Sequence, residues 1–127
     1  MMNEKMMNQQ LKELHTIADL DAALAESRER PVLLFKHSLT CPISARAFRE
    51  FNAYLEQADP RARYSLITVQ TAREVSNEAA ARLHIEHHSP QAILVRNGRE
   101  VWNASHFSIT ASTLAAAIND NESSKED

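Results

Sequence analysis

The sequence predicts an α/β domain in which a mixed sheet is flanked by helices. Three observations carry this expectation. Short apolar, β-branched-rich runs alternate with longer stretches of helical periodicity along most of the chain. Pro31, Pro42 and Pro90 fall at the borders of those runs, where a missing N–H is tolerated. An Asn97-Gly98 pair, holding the only glycine of the protein, marks a tight hairpin between the last two runs.

Taken in order, residues 1–12 read as a flexible leader and residues 120–127 (DNESSKED) as a polar tail. Residues 13–119 are left as a single domain. A short edge strand is expected at 14–17. Asp19 is a candidate N-cap for a helix to about residue 28, with Leu20, Ala23 and Leu24 on one face. After Pro31, the run Val32-Leu33-Leu34-Phe35 reads as a strand buried on both sides. Residues 36–40 read as a loop and 41–55 as a helix, with Pro42 in its first turn. Ile43, Ala47, Phe48, Phe51 and Leu55 form its apolar stripe.

A second β-branched-rich strand is expected at 64–69, a helix at 73–83, and a strand at 92–96 after Ser89-Pro90. Residues 100–104 return across the hairpin, and Thr110 or Ser108 caps a last helix to about 118. The order is β-α-β-α-β-α-β-β-α. A mostly parallel sheet that ends in an antiparallel hairpin and a closing helix is thioredoxin-like.

Composition narrows the function. A chain of 127 residues, 43% of them apolar, suffices for one ordinary core. A net charge of −3 gives no electrostatic footprint for nucleic acid or a membrane surface. No apolar run approaches the roughly 18–20 residues that span a bilayer. The opening MMNEKMMNQQ lacks the pattern of a secretory signal, so a cytoplasmic location is expected. With one cysteine, an internal disulfide and a cysteine-rich zinc site are both excluded. His84, His87 and His88 form a loop cluster without ligand spacing and read as solvated, so no metal is expected.

The chemistry is expected at Thr40-Cys41-Pro42-Ile43-Ser44, between a buried strand and a helix. A cysteine at a helix N-terminus meets free backbone N–H groups and the positive end of the helix dipole. Both favour the thiolate, which is the attacking species in disulfide exchange. Lys36 and His37 stand just upstream as candidate sources of further positive charge. Cys41 is therefore the candidate catalytic residue, with Thr40, Pro42, Ser44, Lys36 and His37 in support. Ser44 takes the place of the second cysteine in a Cys-x-x-Cys pair. Its hydroxyl either bonds the Cys41 sulfur or is only a polar helix residue nearby. Ser89-Pro90 stands where a cis-proline is expected opposite the cysteine. Together with His106 it makes the candidate substrate-binding wall.

The segment from Lys36 to Ser44 resembles the active-site signature of the YtxJ-like monothiol bacilliredoxins. Val75-Ser76-Asn77, His88-Ser89-Pro90-Gln91 and the stretch from Val101 to Thr110 agree in order and spacing. Asn103 and Phe107 stand where many relatives carry histidine and tryptophan. The resemblance covers roughly residues 14–118. It implies a thioredoxin fold, no bound cofactor, and bacillithiol as co-substrate. The implied partners are S-bacillithiolated proteins, whose bacillithiol is taken onto Cys41. Glutathione fits less well. The Cys-Gly-Phe-Ser motif of monothiol glutaredoxins is absent, and a single glycine cannot supply their glycine pair. Two other classes are weighed against this reading. One is a non-catalytic adaptor, the other a thiol peroxidase, whose threonine and arginine Ser38 and Arg46 imitate weakly.

Overall fold

The computed structural model describes residues 11–124. Its elements are β1 (Leu11–Glu13), α1 (Ile17–Glu26), β2 (Val32–His37), α2 (Pro42–Leu55), β3 (Arg63–Thr68), α3 (Arg73–Leu83), β4 (Gln91–Arg96), β5 (Arg99–Ser105), a 3-10 turn (His106–Ser108) and α4 (Ala111–Ser124). The expected thioredoxin-like order is observed. The five strands lie in the order β1-β3-β2-β4-β5.

Strand alternation divides the core in two. Leu33, Phe35 and Leu94 point to one face of the sheet, where Ala47, Phe51 and Leu55 of α2 meet Leu114, Ala117 and Ile118 of α4. Val32, Leu34, Ile93 and Val95 point to the other, against Leu20 and Ala23 of α1 and Val75, Ala79 and Leu83 of α3. Trp102 packs against the first cluster, as expected for a sheet-face residue. At the hairpin, Asn97 and Gly98 have φ of 55° and 73°, the left-handed pair that a two-residue turn needs. Ser27, at the end of α1, receives both of their N–H groups and ties the hairpin to the helix.

Several boundaries differ from the sequence reading, each for a physical reason. The first strand is Leu11–Glu13 rather than 14–17. Leu11 pairs with Tyr64 and packs on the core, so the last two residues of the expected leader belong to the sheet. The rest of that leader lies outside the described residues. The cap of α1 is Thr16, not Asp19. Thr16 Oγ1 accepts the Asp19 N–H at 3.1 Å and Asp19 Oδ2 accepts the Thr16 N–H at 3.2 Å, so Asp19 is the far half of a capping box. Residues 36 and 37 continue β2 because Gln91 and Thr68 pair with them on either side.

The sheet is also more evenly mixed than expected: β4 runs antiparallel to β2. It enters the sheet at the end where β3 left it. Finally, α4 continues to Ser124, five residues into the expected tail. Nothing in 119–124 is glycine or proline, and Asn121 Nδ2 donates to the Ala117 carbonyl. Thr110 caps this helix as anticipated, its hydroxyl accepting the Thr113 N–H at 3.1 Å.

Candidate active site

The topology gathers four connections at one end of the sheet. β2 and β3 both end there, with His37 opposite Thr68, while β4 begins with Gln91 opposite Lys36, and β5 ends with Ser105 opposite Gln91. Residues 38–41, 69–72, 84–90 and the 3-10 turn therefore converge. This is the end at which α/β folds place their ligand sites.

Cys41 is the N-cap residue of α2, with an extended backbone and a partly exposed side chain. The first intrahelical bond runs from the Ala45 N–H to the Cys41 carbonyl at 3.0 Å. Pro42 has no N–H to lose, so the N–H groups of Ile43 and Ser44 remain without a partner inside the helix. Cys41 makes no side-chain capping bond.

The loop leading to the cysteine is held from two sides. Ser44 is fully buried, and its Oγ accepts the Ser38 N–H at 2.8 Å and lies 3.1 Å from His37 Nδ1. Of the two readings open in the sequence, neither a sulfur contact nor an idle helix residue describes it. The hydroxyl braces the strand-to-helix turn. On the other side is Gln70, which the sequence reading did not single out. Its Oε1 accepts the Leu39 N–H at 3.0 Å, and its Nε2 donates to Ser38 Oγ at 2.9 Å and to Thr40 Oγ1 at 3.4 Å. A glutamine just past a strand has no distinguishing pattern, and only the topology brings it to this loop. Thr40 thus takes part through its hydroxyl.

His37 and Lys36 do not combine as an upstream positive charge, and that expectation is corrected. Successive strand residues point to opposite faces. The His37 ring lies on the α2 face, stacked on Phe48 at 4.4 Å with 22° between planes. Burial holds its imidazole below the ordinary 6.5, so it is neutral at neutral pH. Lys36 points to the α3 face, is fully buried, and donates to the Ser76 carbonyl at 2.9 Å and towards His87 Nδ1 at 3.0 Å. It joins α3 to the loop that precedes Ser89-Pro90. Gln91, also buried, fastens the same loop through the Glu86 carbonyl and the His88 N–H.

Burial pushes the Lys36 ammonium down to about 8 from 10.5. Between those values the unfolded chain holds a proton that the folded chain has lost. Stability from this residue is therefore fully present above 10.5 and is lost as pH falls to about 8. Lys36→Met removes the term. The stability difference, variant minus native, should fall by up to about 3 kcal/mol as pH rises across that window. Urea unfolding at a series of pH values measures it, and a constant difference would contradict the placement.

The Ser89-Pro90 peptide bond is cis, as expected. The Pro90 carbonyl accepts the His106 N–H at 3.2 Å, and the His106 ring stands edge-on to His88 with centroids 5.6 Å apart. The structure thus brings Ser89, Pro90 and His106 together. The Ser89 hydroxyl is buried and has no hydrogen-bond partner among the described residues. Among those residues no group of three or more His, Cys, Asp or Glu side chains is placed to hold a metal ion. Likewise, no helix among them is long and apolar enough to cross a membrane.

A sheet of this order, with a cysteine heading α2 and a cis-proline loop at the same end, defines a thiol redox protein of thioredoxin fold. The comparisons with known proteins agree and are more specific. The chain belongs to the family described as monothiol bacilliredoxin BrxC, whose profile matches residues 12–114. It is similar to a solved structure described as an oxidoreductase with a thioredoxin fold, at 34% identity and a TM-score of 0.76. That match covers 87% of this chain and 96% of the other. Two thioredoxins share the fold. The Fasciola hepatica protein is 19% identical with a TM-score of 0.68, over 86% of this chain and 97% of its own. The Trypanosoma brucei brucei protein is 10% identical with a TM-score of 0.71, over 89% and 91%.

Proposed function

We propose that this protein removes bacillithiol from S-bacillithiolated proteins by a monothiol mechanism at Cys41. The observation that carries the reading is the site's thiol inventory. Cys41 is the one cysteine of the chain, and the Cys-x-x-Cys partner position holds a serine whose hydroxyl is engaged by Ser38 and His37. A site with no resolving thiol suits the transfer of a small thiol, because the adduct it forms is stable until a second small thiol arrives.

The Cys41 thiolate attacks the bacillithiol sulfur of the mixed disulfide. A new S–S bond forms between Cys41 and bacillithiol as the old one breaks. The client leaves as a thiolate and takes a proton from water, so its sulfur is reduced while that of Cys41 is oxidised. Free bacillithiol then attacks the adduct, releasing Cys41 and oxidised bacillithiol. Cys41 heads α2 as its N-cap residue. Pro42 opens that helix, and Gln70, Ser44 and His37 fix the loop that carries the sulfur. Ser89, Pro90 and His106 form the wall against which the disulfide lies, with the unpartnered Ser89 hydroxyl available to it. The setting proposed is the cytoplasm, with bacillithiol as co-substrate and no resident cofactor.

The test mixes reduced protein with a bacillithiolated client and no other reductant. One client thiol should be freed per chain, after which release stops until bacillithiol is added. Absence of any release would contradict the reading, as would continued turnover without added thiol.

A further inference from the structure

Arg46 lies five residues beyond Cys41, about 1.4 helical turns and about 7.5 Å further along the axis of α2. Its guanidinium is held 5.6 Å over the centroid of the Phe107 ring. Both side chains are exposed, and Phe107, at 61%, is among the largest apolar surfaces the described residues present to solvent. Phe107 sits in the 3-10 turn directly after His106, whose N–H bonds the Pro90 carbonyl. Through Phe107 the pair therefore joins α2 to the turn that touches the Ser89-Pro90 loop.

The acid best spaced to neutralise Arg46 is Glu50, four residues on along the helix. Its carboxylate is turned away, with Oε1 accepting the Ala111 N–H at the start of α4 at 2.9 Å. Among the described residues Arg46 has no carboxylate partner. A cation fixed by an aromatic ring, with its natural counter-ion diverted, is preorganised for an incoming anion.

We propose that Arg46, steadied by Phe107, is a subsite for a carboxylate of the small thiol as it passes from client to Cys41. This rests on the transfer reaction proposed above. Bacillithiol fits by its chemistry, because its malyl group carries carboxylates at the end remote from sulfur. The subsite makes Arg46 a specificity residue, favouring anionic over neutral small thiols.

The experiment uses one client cysteine carrying either bacillithiol or the neutral 2-mercaptoethanol as mixed disulfide. Transfer rates are compared for the native protein, Arg46→Gln and Arg46→Lys. The native preference for the bacillithiol adduct over the neutral one should fall roughly threefold in Arg46→Gln and survive in Arg46→Lys. Because each variant serves as its own reference, a general change in thiol reactivity cancels from the ratio. The same preference should weaken in the native protein at high salt. An unchanged ratio in Arg46→Gln overturns the subsite, as does an equal loss on both adducts, which would place the guanidinium on the client or the thiol itself. Failure of the native protein to act on either adduct would instead remove the transfer reaction.

Discussion

Replacing Cys41 by serine is expected to bring release of bacillithiol from a client down to the level of buffer alone, while the protein becomes more stable. Both halves follow from one position. A serine hydroxyl does not ionise near neutral pH and offers no nucleophile for disulfide exchange. Cys41 is also the N-cap of α2 and makes no capping bond with its side chain. Serine is among the best N-cap residues, and its oxygen accepts an N–H of the first turn, a contribution of about 0.5–1 kcal/mol. Thiol release followed by absorbance, paired with urea unfolding of the same samples, checks the two together. A stable variant that still transfers would assign the chemistry elsewhere, and a destabilised one would contradict the capping geometry.

Phe35→Ala carries the second large effect, a loss of about 3–5 kcal/mol of folding stability. Phe35 is fully buried in β2 and stacks on Phe51 of α2 at 4.6 Å with 9° between planes. It also meets Phe48 at 6.0 Å, the residue on which His37 rests. The cavity would therefore open between the sheet and α2, directly beneath the turn that presents Cys41. Denaturant unfolding gives the loss, and a cost below about 1 kcal/mol would show that α2 collapses into the space. For a domain of this size such a loss is a large share of total stability.

The parts of this molecule that were legible in the sequence are those fixed by local rules. Apolar runs gave the central strands, Pro42 and the stripe through Phe51 gave α2, and Asn97-Gly98 gave the hairpin. Cys41 stands between a strand and a helix as its sequence context predicts, and the cis Ser89-Pro90 bond agrees with its expected place. The errors arose where three-dimensional pairing overrides a local cue. Lys36 and His37 are neighbours in sequence, but the strand continues through them and sends them to opposite faces. Thr16 and Asp19 share one capping box, and reading Asp19 alone displaced the start of α1. Gln70 bonds residues some thirty positions away and carries no local signature, so its hold on Ser38, Leu39 and Thr40 required the fold. Arg46 and Phe107 became meaningful only once Glu50 was seen bonded to α4.

The central claim is that the small thiol moves onto Cys41. Intact mass of the reduced protein, recorded after brief mixing with a bacillithiolated client and acid quenching, tests it most directly. This chain should gain the mass of one bacillithiol less two hydrogens as the client loses it, and added bacillithiol should reverse the gain. A client that stays modified, or one freed while this chain keeps its reduced mass, would contradict it.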